Sequence, residues 1–110
     1  MEFAPVEEGA SALTADEIAE LLPQLSEWEI GEKDGIQRLQ RRFAFADFAQ
    51  ALAFTVRVGQ LAEAKGHHPV ILTAWGMVTV IWWTHKVKGL HQNDFLMAAM
   101  TGALFSAGSA

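Results

Sequence analysis

The chain contains no cysteine and no tyrosine. Without thiols it can form neither disulfides nor thiolate metal sites. It also lacks a long hydrophobic run. The longest apolar stretches, Ala74–Trp83 and Phe95–Phe105, are too short to span a bilayer. The start, Met1-Glu2-Phe3-Ala4-Pro5, has neither the basic residues nor the apolar core of a signal peptide, so a soluble cytoplasmic protein is expected. Basic residues are scarce: eight Lys and Arg against thirteen Asp and Glu. That is not the dense cationic footprint of a nucleic-acid binder. There are no internal repeats and no low-complexity tracts.

What is present suits one packed domain. The chain has 110 residues, 51% of them hydrophobic, enough for a single core and too few for two domains. The net charge of -5 is unevenly spread. Residues 1–34 carry ten acidic side chains and one lysine, whereas residues 35–110 carry three acidic and seven basic ones. A solvated acidic N-terminal helix accounts for the asymmetry. The weakly basic remainder also suits an anionic or electron-rich ligand.

Residues 1–12 read as a flexible arm, 13–105 as the domain and 106–110 as a frayed end. Thr14-Ala15-Asp16-Glu17 reads as a capping box, with Leu13 and Ile18 as its hydrophobic staple. The helix it opens should end near Pro23. Trp28-Glu29-Ile30 predicts a short strand and Lys33-Asp34-Gly35 a hairpin turn. In the next strand Leu39, Phe43 and Phe45 share one face and Arg38, Gln40 and Arg42 the other, with Arg41 interrupting the apolar side. Asp47 is a good N-cap for a long helix reaching about Ala64, which Gly66 and Pro69 then end. The polar stripe of that helix is narrow: Gln50, Arg57 and Gln60. So wide an apolar arc calls for two neighbours, a sheet and something else, for which a second subunit would serve. Val70–Ala74 and Met77–His85 predict two strands joined at Trp75-Gly76. The second is apolar on both faces, as a central strand should be, with His85 on the Thr79-Ile81-Trp83 face. A last helix should run from about His91–Asp94 to Leu104. The sum is an α+β fold, α-β-β-α-β-β-α, with a four-stranded, largely antiparallel sheet and helices packed on one face.

Chemistry concentrates around Glu63, His67, His68 and His85. Histidine titrates near neutral pH and can give or take a proton. Glu63 falls in the last turn of the long helix, where the helix dipole disfavours an anion. Asp94 falls in the first turn of the next helix, where the dipole favours one. Carboxylates in opposite environments can take different roles. Trp75, Trp82 and Trp83 together would make a flat wall for an aromatic ring. Competing readings stand beside this one. Each histidine alone is ordinarily a surface or satisfied core residue, and each tryptophan a core residue. Asp94 reads equally well as a helix-start residue. Three histidines with Glu63 would make a zinc shell, although the spacing matches neither His-Glu-x-x-His nor a His-x-His hairpin. His91 reads as a cap-region or surface residue.

The pattern Glu63, His67-His68-Pro69, Trp75, His85 and Asp94 resembles the signature of the pterin-4a-carbinolamine dehydratases at every position and spacing. The flanking Leu13-Thr14, Glu17-Ile18, Trp28, Phe43–Phe48, Trp83–Val87, Gly89-Leu90 and Asn93-Asp94-Phe95 are similar too, so the resemblance covers about Leu13 to Leu104. It implies dehydration of 4a-hydroxytetrahydrobiopterin, the carbinolamine left by aromatic amino-acid hydroxylases, to quinonoid dihydropterin, without metal or separate cofactor. By resemblance His67 and His85 are the acid/base pair. His68, Glu63, Asp94 and Trp75 would bind or support the pterin, and the chain would form a homodimer or homotetramer. The family commonly has Asn or Asp where Gly66 stands, and Thr where His91 stands. His91 should cap the last helix less well than Thr. The paired Trp82-Trp83 is heavier than the family pattern. Other relatives are binding proteins: a dimerisation partner of a transcription factor, or assembly chaperones of a carbon-fixing enzyme that tend to lose the histidines. A pterin-binding module of another pathway, such as molybdopterin biosynthesis, stays open as well.

Overall fold

The computed structural model describes residues 2–108. Helix α1 (Ala15–Leu21) opens on the expected capping box. The Thr14 hydroxyl accepts from the Glu17 N–H, and the Glu17 carboxylate accepts from the Thr14 N–H. A short 3-10 turn, Leu22–Gln24, contains Pro23 and ends the helix. Strands β1 (Glu29–Lys33) and β2 (Ile36–Ala44) form a hairpin. Its two turn residues, Asp34 and Gly35, have φ of 55° and 77°. Two left-handed residues match the twist of the flanking strands, which is why Asp-Gly suits this position.

Helix α2 (Phe48–Lys65) starts where Asp47 accepts a hydrogen bond from the Gln50 N–H at 2.9 Å. It ends at Gly66, in the left-handed conformation with φ 61°. The Gly66 N–H donates to the Glu63 carbonyl and the His67 N–H to the Ala62 carbonyl, closing a Schellman motif. The strands β3 (Val70–Ala74) and β4 (Met77–Trp82) follow, then a 3-10 turn at His85–Val87 and helix α3 (Gln92–Gly108). The sheet order is β1-β2-β4-β3 and every neighbouring pair is antiparallel. The central place of β4 is the one its apolar sequence demands.

The core lies between one sheet face and helices α2 and α3. Leu39, Phe43, Val78, Val80 and Trp82 from the sheet meet Phe54, Val58, Phe95 and Met97 from the helices. Phe43, Phe45, Phe54 and Phe105 form an aromatic cluster with ring centroids 4.8–5.9 Å apart. Arg41, the residue that breaks the apolar alternation of β2, lies over this cluster. Its guanidinium is 4.4 Å from the Phe43 centroid and 5.5 Å from that of Phe105. It therefore packs as an amphipathic cover.

Two boundaries and the placement of the arm differ from the sequence reading. Strand β4 stops at Trp82, so His85 is not on a regular strand face. Thr84 instead pairs with Gly89 in an isolated bridge, and Lys88 turns the chain with φ 53°. Helix α3 runs past Leu104 to Gly108, so 106–108 are helical where fraying was expected; Ser109 and Ala110 lie outside the described residues, as does Met1 of the arm. The rest of the arm, expected to be loose, is tied to the segment 86–93 by hydrogen bonds.

Phe43 touches Trp28, Phe54 and Phe105 and is 1% exposed. Replacing it with alanine should lower the unfolding free energy by about 3–5 kcal/mol, the usual cost of an emptied aromatic core position. Urea denaturation followed by tryptophan fluorescence measures this.

Candidate active site

The Schellman turn fixes where the histidines emerge. Because the His67 backbone closes the end of α2, its ring leaves the helix at a set angle. It stacks on the buried Trp82 ring, with centroids 5.7 Å apart and planes at 13°. Trp82 is held from below, donating its indole N–H to Thr101 Oγ1 at 3.2 Å, and Thr101 donates to the Met97 carbonyl.

His67 Nε2 lies 2.6 Å from Asp94 Oδ1. Asp94 is fully buried, and its other oxygen accepts from the Thr84 hydroxyl at 2.7 Å and the His91 N–H at 2.9 Å. A carboxylate accepts only, so Nε2 carries the proton and Nδ1 is the nitrogen left for other chemistry. Asp94 also sits in the first turn of α3, where the helix dipole favours its charge. A buried anion with three donors and a helix N-terminus is well compensated. Asp94 is thus far more than a helix-start residue: it joins the ends of α2 and β4 to the start of α3.

His91 immediately precedes α3 and its ring takes part in capping it. Its ring Nδ1 accepts from the Asn93 N–H at 3.1 Å while Asp94 accepts from the His91 N–H. The Asp94 bond is the return half of a capping box, while the imidazole takes the N–H of the second helical residue instead of the third.

The remaining candidates are more open. His68 Nε2 bonds Glu63 Oε2, and both side chains are largely exposed. His85 is exposed at the start of its 3-10 turn, its ring 4.7 Å from that of Trp83 and its nitrogens without a hydrogen-bond partner among the described residues. Trp83 in turn lies under the Arg38 guanidinium at 4.4 Å. The antiparallel pairing of Val70 with Ile81 brings the entry of β3, after His67-His68-Pro69, beside the exit of β4, before Thr84-His85. All three histidines therefore sit at one end of the β3–β4 hairpin.

Trp75 does not join them. It occupies the opposite turn, between Ala74 and Met77, and is 73% exposed. The length of β3 separates it from the histidines by on the order of 16 Å. The expected tryptophan wall does not form within one chain. Trp82 is buried in the core, Trp83 is half-buried beneath Arg38, and Trp75 lies at the far turn of the hairpin. Nor do the histidines converge as a metal shell: among the described residues no three His, Asp or Glu side chains are grouped to hold an ion. They form two separate carboxylate–imidazole pairs instead.

Sequence reasoning missed Thr84, Asn93 and Phe3. Thr84 was legible only as a neighbour of His85, yet its hydroxyl holds Asp94. Phe3 meets His67 edge-on, with centroids 6.2 Å apart and planes at 79°. A cavity of about 650 Å³ lies elsewhere, between the start of α2 and the end of α3. Its lining includes Phe45, Phe105, Gln50 and Arg57 and none of the histidines.

A four-stranded antiparallel sheet with three helices, and a carboxylate-held imidazole where helix, strand and helix meet, define a small α+β protein. Residues 11–104 match the family described as pterin 4 alpha carbinolamine dehydratase. A protein of Chlorobium limicola, provisionally named pterin-4-alpha-carbinolamine dehydratase, is 58% identical over 94% of this chain and 92% of its own length. A protein of Syntrophotalea carbinolica with the same provisional name is 60% identical over 87% of this chain and 86% of its own. The crystal structure of a transcriptional coactivator/pterin dehydratase from Brucella melitensis superimposes with a TM-score of 0.77 at 33% identity, over 86% of this chain and 99% of that one. A pterin dehydratase-like protein described as a RuBisCO assembly factor in the alpha-carboxysome superimposes less closely, with a TM-score of 0.60 at 28% identity, over 71% of this chain and 88% of that one. This chain belongs to the pterin-4a-carbinolamine dehydratases, a family of hydro-lyases.

If the His91 ring caps α3, His91→Ala should cost about 0.5–2 kcal/mol of stability and His91→Thr should restore most of it. Thermal unfolding of the three proteins compares them. Equal stability of the alanine and native proteins would remove the cap.

Proposed function

We propose that this protein dehydrates a pterin 4a-carbinolamine, 4a-hydroxytetrahydrobiopterin, to quinonoid dihydropterin by histidine acid/base catalysis. The setting is tetrahydrobiopterin recycling beside an aromatic amino-acid hydroxylase. Loss of water breaks the C–O bond to the departing hydroxyl, which takes up a proton, while a ring nitrogen gives one up. Two imidazoles near neutral pH can perform both transfers. The observation that carries the reading is the buried Asp94–His67 pair, which orients one imidazole and leaves its Nδ1 available. His85, accessible and with ring nitrogens that have no hydrogen-bond partner among the described residues, is its partner in proton transfer. His68 and Glu63 bind and orient the pterin at the exposed edge. Asp94 acts through His67. Trp75 would reach such a site only from a second copy of the chain.

Two or four copies also suit the surface. Phe48, Leu52 and Val56 are 44%, 47% and 49% exposed and recur every fourth residue along one face of α2. Leu72, on the edge strand β3, is 53% exposed. An apolar stripe of this kind favours burial against another copy.

Turnover is measured by stopped flow on carbinolamine generated in situ by a phenylalanine hydroxylase. His67→Ala and His85→Ala should each slow dehydration by about 10²–10⁴-fold, with further loss in the double variant. Near-normal turnover in the double variant would rule the mechanism out. Pterin binding without acceleration would point to a binding module, and neither binding nor turnover to a scaffold like the carboxysome relative. Sedimentation should show a dimer or tetramer that Leu52→Glu with Val56→Glu shifts to lower mass. An unchanged mass would place the interface elsewhere.

A further inference from the structure

Nothing in the composition of residues 2–8 suggests a role, yet this stretch is fastened along its length. Gln92 Nε2 donates to the Glu2 carbonyl at 3.1 Å. The Ala4 N–H donates to Asn93 Oδ1 at 2.9 Å, and Asn93 Nδ2 donates back to the Ala4 carbonyl. Lys86 Nζ donates to the Val6 carbonyl at 3.2 Å and lies 3.5 Å from Glu8 Oε2. Farther along, the Leu13 N–H donates to the Leu90 carbonyl at 2.8 Å. The Asn93 side chain, 1% exposed, gives both ends of its amide to a single backbone position. A buried amide satisfied in this way discriminates sharply against any other register of the arm.

Every one of these anchors belongs to the segment 86–93, which separates His85 from Asp94. The clasp at Ala4 sets Phe3 against the His67 ring. His67 is then bounded by Trp82 on one face, by Asp94 at Nε2 and by Phe3 edge-on, and its side chain is 11% exposed. Phe3 itself stays 37% exposed, an apolar ring with no place in the core.

We propose that the N-terminal arm is a wall of the active site and that Phe3 is a positioning residue for His67. The inference rests on His67 being an acid/base group of the dehydration. Phe3 keeps the imidazole in the rotamer that pairs Nε2 with Asp94. It also holds water away from that pair, where a wetter surrounding would weaken the attraction. Substrate then approaches from the side of Nδ1. Catalytic geometry is sensitive to displacements of this size: a misplacement of about 1 Å can cost about 10²-fold in rate.

The test uses the full chain with Phe3→Ala, Phe3→Leu and a form lacking residues 2–6, each checked for native circular dichroism. Turnover in Phe3→Ala and in the shortened form should fall about tenfold in kcat with KM changed less than about twofold, and Phe3→Leu should recover most of the loss. In nitrogen-15 spectra of the imidazoles, the sheltered Nε2–H of His67 should exchange faster with water once Phe3 is removed. Unchanged or faster turnover in Phe3→Ala overturns the proposal, the latter because it would make the arm an obstruction. If the native protein shows no turnover, the dehydratase reading fails on its own account. The His67 resonance still reports whether Phe3 holds the ring, and indifference to Phe3→Ala overturns the proposal in either case.

Discussion

A single buried carboxylate organises this molecule. Asp94 is wholly removed from solvent, an arrangement tolerable only when its charge is met from several directions. Three elements meet it: the His67 ring just past α2, the Thr84 hydroxyl just past β4, and the backbone N–H of His91 at the start of α3. Each donor comes from a chain end that would otherwise fray. The charge therefore pins three element termini to one point, and the His67 imidazole is held at that point. Stability and site geometry share the same atoms. The tight bridge between Thr84 and Gly89 has a role in this frame, since a strand continuing through His85 would pass the point without turning back toward α3.

The two imidazole–carboxylate pairs are chemically unlike despite adjacent sequence positions. His67–Asp94 is buried and its geometry is fixed by stacking on Trp82. His68–Glu63 is exposed, with side chains 62% and 77% accessible, and is screened by solvent. A fixed pair suits proton transfer, which depends on distance and tautomer. An exposed pair costs little to rearrange around an incoming ring. The division of roles inferred for the two neighbouring histidines thus follows from the backbone: after a left-handed Gly66, successive side chains leave the helix end in different directions, one inward and one outward.

Much of the fold was legible because its signals are local. The Thr14–Glu17 box, the Asp34-Gly35 turn, the Asp47 cap and the Gly66 terminus are each written within four residues, and all four appear as read. The sequence also put Glu63, His67, His68, His85 and Asp94 at or just past element ends, and each lies there. What the sequence concealed depends on partners distant along the chain. The alternation of β4 through Trp83 gives no hint of a stop at Trp82, because the turn at 85–88 is stabilised by what Thr84 reaches in α3. The proximity of Trp75 in sequence is misleading, because a hairpin places its turn at the end opposite its entry and exit. Residue type alone did not reveal that the His91 ring nitrogen is aimed at the N–H two residues on. The arm composition, acidic and small, conceals the Asn93 amide that fastens it from 89 residues away.

The long helix carries an exposed apolar stripe along one face and, at its end, the turn that sets His67. Its exposed stripe ends one turn or more before Glu63 and the Schellman turn that sets His67. Strand β3, which carries exposed Leu72 on the sheet edge, begins immediately after His68-Pro69. The connecting residues 66–69 are thus bracketed by two surfaces suited to burial, one on each side. A short connection between elements fixed at both ends has few conformations left to it, and little ordering entropy remains to be lost when substrate binds. A second copy lying along α2 and β3 would stiffen this connection. Trp75, at the free end of the same hairpin, is the residue such a copy could bring toward a neighbouring site. The apolar stripe and the histidine site then become two requirements on one helix, one for where it packs and one for how it ends.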